Sequence, residues 1–127
     1  MNAPATNYRQ LCQSISKDLA ALRGGIPEVM KGFSDLARAA TRGGALDRKT
    51  KELIALALGV AAHCDPCIGF HVEALVKLGV TRGELEEALA MAVYMGGGPS
   101  LMYSAKALEA YEQFTEQPAA EVMLAAE

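Results

Sequence analysis

Little in this sequence points toward nucleic acid, membrane or export. Its twelve basic residues are scattered from Arg9 to Lys106 and the net charge is -3, so no basic stripe is available to track a phosphate backbone. The longest uncharged apolar run, Leu53 to Ala62 (LIALALGVAA), stops well short of the roughly 18 to 20 residues needed to cross a bilayer, and reads as a buried helix. The opening MNAPATNYRQ has neither the basic nor the apolar region of a signal peptide, and the expected location is a reducing cytoplasm. Period-two alternation, low-complexity linkers and internal repeats are all missing, which argues against a sheet protein or a solenoid. Cysteine and histidine are scarce, at three and two residues.

What is present is apolar and helical. Hydrophobic residues make up 51% of 127 residues, enough for one domain with a single core and a surplus that suggests subunit contacts. Glycine and proline divide the chain into about six helices. The first runs from about Asn7 to Leu22 and ends at Gly24-Gly25; the second opens at Pro27 and closes near Gly43-Gly44. Asp47 caps a third, which turns apolar on all sides after Lys49, Lys51 and Glu52 and is expected to be buried all round. Pro66 belongs in the first turn of a fourth, with Cys64 at or near its cap, and Gly79 ends it near Leu78. Thr81 and Glu84 form a capping-box pattern for a fifth, running to the break at Met95-Gly-Gly-Gly98, and Pro99 opens a sixth through Leu101, Ala105, Leu108 and Tyr111. The tail after Pro118 is expected to fray or to dock on a neighbouring subunit.

Two of the three cysteines and both histidines fall within nine residues, His63 to His71 (HCDPCIGFH). At about 100° per residue, Cys64, Cys67 and His71 lie within an arc of roughly 60° on one helix face. Residues three apart approach the separation a disulfide requires, so a reversible Cys64–Cys67 bridge is feasible. His71 follows Cys67 by one helical turn, which favours Cys67 as the nucleophile; Cys64 lies nearer the positive helix terminus, which favours Cys64. Spacing leaves the two close. Glu52 is the one acidic residue between Asp47 and Asp65, and reads either as a solvated first-turn carboxylate or as the partner that orients His71. Cys12, alone upstream, reads as a small buried hydrophobe.

Glu52, Cys64, Cys67 and His71, with this spacing and these flanking helices, resemble the alkylhydroperoxidase AhpD-like branch of the carboxymuconolactone decarboxylase family from about Leu46 to Tyr111. The resemblance implies an all-α fold assembled as a homotrimer or homohexamer, with the cysteines in a pocket near subunit contacts. It implies that Cys67 attacks a hydroperoxide and becomes a sulfenic acid, that Cys64 condenses with it to a disulfide, and that His71 and Glu52 relay protons. An unidentified thiol reductant would restore the pair, with no cofactor and no metal. The peroxidase members carry an extra histidine just before the second cysteine, where this chain has Pro66, so the relay is shorter here and His63 is a candidate substitute base.

Other chemistries fit the same residues less well. Two cysteines, His71 and Glu52 make a ligand count that zinc accepts, but three ligands from one helical face give poor tetrahedral angles. Covalent haem attachment requires a histidine adjacent to the second cysteine. Decarboxylation of a lactone acid, the reaction that names the wider family, needs no thiol pair and calls for basic residues in the pocket. The segments Gly96 to Pro99 and Met102-Tyr103 suggest a small apolar wall instead, suited to hydroperoxides or another small electrophile. A helical oligomerisation module with inert cysteines is the non-enzymatic alternative.

Overall fold

The computed structural model describes residues 6–116. Within them the chain forms six α-helices and no strand: α1 (Tyr8–Gly25), α2 (Pro27–Thr41), α3 (Arg48–Ala61), α4 (Asp65–Lys77), α5 (Arg82–Gly96) and α6 (Gly98–Thr115). The tail expected after Pro118 lies outside the described residues.

Local chemistry accounts for most boundaries. Asn7 and Asp47 cap α1 and α3 by accepting backbone N–H bonds from Gln10 and Thr50. Thr81 and Glu84 complete a reciprocal capping box on α5, and Lys49 of α3 pairs with Glu84 at 2.8 Å, tying the two helix starts together. Gly79 and Gly97 adopt positive φ at the ends of α4 and α5, a conformation that costs glycine nothing. Two boundaries fall within a few residues of expectation. α1 runs through Gly24 and Gly25, near which no atom would crowd a side chain, and ends only where Ile26 leaves helical geometry ahead of Pro27. α2 stops at Thr41, before its glycine pair.

Helix α4 is central. It packs against α3, α6 and α1, while α5 packs on α3 and α6. Leu56, Val60, Ile68, Val72, Leu75 and Leu85 are fully buried where these helices meet, each contributing roughly 1.5 to 3 kcal/mol by leaving water. α1 crosses α4 closely because Gly69 has no side chain: a Cβ there would lie 2.7 Å from the Cys12 sulfur and 3.3 Å from the Tyr8 ring. The expectation that α3 is buried all round is not met. Leu58 is 65% exposed and Ile54 is half-buried, because only the α3 face carrying Glu52, Leu56, Gly59 and Val60 has helices to pack on. α2 buries no residue and presents Val29, Phe33 and Leu36 outward in one stripe.

The Gly69 crossing makes a stability prediction. Gly69→Ala is expected to destabilise by about 1 to 2 kcal/mol through overpacking, and to become neutral or stabilising when Cys12→Ala clears the space. Urea denaturation of the two single variants and the double variant measures that coupling.

Candidate active site

The site is built where α3 ends and α4 begins. The chain reverses through His63, whose φ of 55° is the one positive value at a non-glycine among the described residues. The N–H groups of His63 and Cys64 donate back to the carbonyls of Val60 and Gly59, both at 3.1 Å. Cys64 then caps α4, its sulfur accepting from the Cys67 N–H at 3.2 Å, and Pro66 occupies the first turn, where a missing N–H costs nothing. Cys64 and Cys67 are joined by a disulfide, with their Cα atoms 5.2 Å apart. Gly59 of α3 backs the bridge closely: a Cβ at that position would sit 3.1 Å from the Cys67 Cβ.

One turn beyond Cys67, the His71 Nδ1 lies 2.7 Å from the Glu52 carboxylate. Glu52 is 4% exposed, so its carboxylate belongs to the interface with α4 and not to solvent. A carboxylate only accepts, so this hydrogen bond places the Nδ1 proton toward Glu52 and leaves Nε2 as the ring nitrogen outside it. Helical spacing therefore assembled Cys64, Cys67 and His71 from one helix, and tertiary packing brought Glu52 to them from another.

The remaining sequence candidates sit at the margins. His63 is exposed and stacks on Tyr103 of α6 with ring centroids 4.6 Å apart. Lys106 lies 4.8 Å over the same Tyr103 ring and 3.3 Å from Asp65, which also accepts a long bond from the buried Tyr8 hydroxyl. Burial, then the Asp65 charge, pushes the Tyr8 phenol above its ordinary range and keeps it a donor. Cys12 is a free buried thiol, its pKa raised by burial first and by Glu73 second. Among the described residues, no group of three or more His, Cys, Asp or Glu side chains has the arrangement to hold a metal.

The cleft beside the His71–Glu52 pair is lined neither by the cysteines nor by the small apolar wall expected around Gly96 to Tyr103. The cleft that Glu52 and His71 line, about 600 Å³, has Arg38, Thr41 and Arg42 from the end of α2, and Arg48 from the start of α3, as its other polar walls. A separate apolar groove of about 290 Å³ between α5 and α6 touches neither cysteine nor the His71–Glu52 pair. Sequence reasoning missed the arginines. The available signal was Arg38 and Arg42, one turn apart, followed by Arg48 in a first helical turn, where the helix dipole disfavours a cation.

This arrangement was compared with known proteins. A sequence profile of the Carboxymuconolactone decarboxylase family matches residues 27–110, about two thirds of the chain. The chain belongs to the carboxymuconolactone decarboxylase family. Consistent with its AhpD-like branch, the crystal structure of the apo form of a carboxymuconolactone decarboxylase family protein from Legionella pneumophila is similar at 60% identity and a TM-score of 0.84, covering 86% of this chain and 97% of that one. A family protein from Thermotoga maritima, for which involvement in an antioxidative response has been suggested, aligns at 30% identity and a TM-score of 0.73, covering 80% and 87%. An uncharacterized protein of Cupriavidus necator is 38% identical over 107 residues, 84% of this chain and 95% of that protein.

The burial of Cys12 against the placement of the bridge at a helix cap sets an order of reactivity. After reduction, iodoacetamide at neutral pH is expected to modify Cys64 or Cys67 first and Cys12 last. Peptide mapping by mass at successive times checks the order, and early labelling of Cys12 would contradict it.

Proposed function

We propose that this protein is a thiol-dependent peroxidase, or disulfide oxidoreductase, of the reducing cytoplasm. The observation that carries this reading is a Cys64–Cys67 disulfide at a helix cap with a histidine–carboxylate pair one turn away. In the reduced protein His71 Nε2 takes the Cys67 proton. The thiolate attacks the terminal peroxide oxygen, the O–O bond breaks, and the departing alkoxide receives the proton from His71 to leave as an alcohol. Cys67 is then a sulfenic acid. The Cys64 thiol attacks that sulfur, the S–S bond forms, and the hydroxyl leaves with a proton as water. An external dithiol supplies two electrons and two protons to reopen the bridge. The Cys67 N–H bound to the Cys64 sulfur favours Cys64 as the leaving thiolate in that step.

Glu52 supports the base role by fixing the imidazole and stabilising the imidazolium as it forms. The relay is one group shorter than in family members with a histidine before the second cysteine, because Pro66 occupies that place. Exposed apolar stripes on α2 and on α5 (Met91, Tyr94, Met95) support assembly as a homotrimer or homohexamer.

A second reading, decarboxylation of a small lactone acid, is favoured by the arginines on the cleft wall, which answer the need for basic residues. It requires no thiol chemistry, so activity on such a lactone in Cys64→Ser/Cys67→Ser protein would support it over the peroxidase.

Stoichiometric hydroperoxide added to reduced protein is expected to remove two thiols and two hydrogens by intact mass, leaving Cys12 free. Cys64→Ser should still form a sulfenic acid and Cys67→Ser should not. His71→Ala is expected to slow oxidation by about 10² or more, and Glu52→Gln by less. Survival of all three thiols sinks the reading. For the assembly, Phe33→Asp is expected to shift the protein toward smaller species in sedimentation velocity, and an unchanged sedimentation coefficient would remove α2 from the interface.

A further inference from the structure

We infer that the arginine-lined cleft beside His71 and Glu52 is a carboxylate subsite, and that the hydroperoxide this protein reduces carries a carboxylate. This rests on the peroxidase reading above. Three of the chain's six arginines line this one cleft, although the chain as a whole is acidic. Glu52, the one acidic side chain on its wall, is already engaged by His71. Arg38 binds Asp35 at 3.1 Å, but among the described residues the guanidinium groups of Arg42 and Arg48 make neither an ion pair nor a hydrogen bond. Thr41 donates its hydroxyl to the Ala37 carbonyl, so it offers the cleft no donor that competes with them.

Nearby charge adds to the same sign. Lys51 donates to the Arg42 carbonyl at 2.7 Å, and Arg48 stands in the first turn of α3, where the helix terminus is already positive. A guanidinium fork matches a carboxylate through two parallel bonds, and a neutral alkyl hydroperoxide would leave this positive wall unanswered. Cys67 precedes His71 by four residues, about 6 Å along α4. The cleft walls include His71 but neither cysteine, so a substrate whose carboxylate rests on Arg42 and Arg48 must extend past His71 for its peroxide oxygens to reach Cys67. The carboxylate stays chemically unchanged, and bond making and breaking follow the peroxidase steps already given.

The test compares a short ω-hydroperoxy carboxylic acid with its methyl ester, reading the second-order rate constant of disulfide formation in the reduced full-length protein. The acid is expected to react about tenfold faster or more, the factor for one hydrogen bond to a charged group. Arg42→Gln/Arg48→Gln should bring the ratio to about one, Arg48→Lys to an intermediate value, and Lys17→Gln, on the exposed side of α1, should leave it unchanged. Circular dichroism checks that each variant is folded. A ratio near one in the unaltered protein overturns the inference with the peroxidase reading intact. If neither compound oxidises the thiols, the peroxidase reading fails and the hydroperoxide class falls with it; a hexanoate titration followed by the His71 ring resonances then decides the subsite alone. Shifts abolished in Arg42→Gln/Arg48→Gln keep it, and no shift removes it.

Discussion

A carboxylate on a helix interior face must either stay wet or find a partner, and Glu52 does the second. Removing an ionised carboxylate from water costs several kcal/mol, which a good hydrogen bond to an imidazole offsets only if the two helices meet in one register. The 2.7 Å contact between Glu52 and His71 therefore fixes how α3 lies along α4. Gly59, two turns after Glu52, then falls opposite Cys67, and its lack of a side chain lets the backbones close onto the bridge. The turn between them feeds both its N–H groups back to α3, which leaves the Cys64 sulfur as the cap of α4. Removing one partner alone would leave the other buried without its hydrogen bond, which is the costly case for such a pair.

Much of the helix plan was legible because it is written in short-range chemistry. Asp47, Thr81 with Glu84, Pro27, Pro66 and Gly79 act within a few residues of themselves, and each stands where local rules put it. The first helix does end at the Gly24-Gly25 pair, but glycine lowers helix stability by only about 1 kcal/mol per residue, so both glycines stay helical and Ile26, ahead of Pro27, is where the helix stops. The apolar run of α3 did mislead. An apolar run does not say how many of its faces the same chain covers, and Leu58 is 65% exposed here.

The site divides along the same line. Cys64, Cys67 and His71 belong to one helix, so a repeat of 3.6 residues was enough to place them together. Glu52 could not be assigned from its own helix, since a first-turn glutamate is equally at home in water. The role proposed for it rests on the family resemblance, and its burial is a tertiary fact. The arginine cleft is further from reach: its walls come from the end of α2, the start of α3 and the middle of α4, three segments that no single period connects. Of the wall that composition suggested near the glycine break, Tyr103 stacks on His63, and none of its residues lines the cleft beside His71.

The two sides of the disulfide are also chemically unlike, and this gives the proton route a direction. On the α6 side Asp65 is held by Lys106 and the Tyr8 hydroxyl, and His63 is stacked flat on Tyr103. Asp65 is thus already hydrogen-bonded, and among the described residues His63 makes no hydrogen bond or ion pair to a carboxylate. On the α3 side His71 has such a carboxylate, and the cleft beyond it is open. Proton transfer and an anionic substrate would then share one entrance.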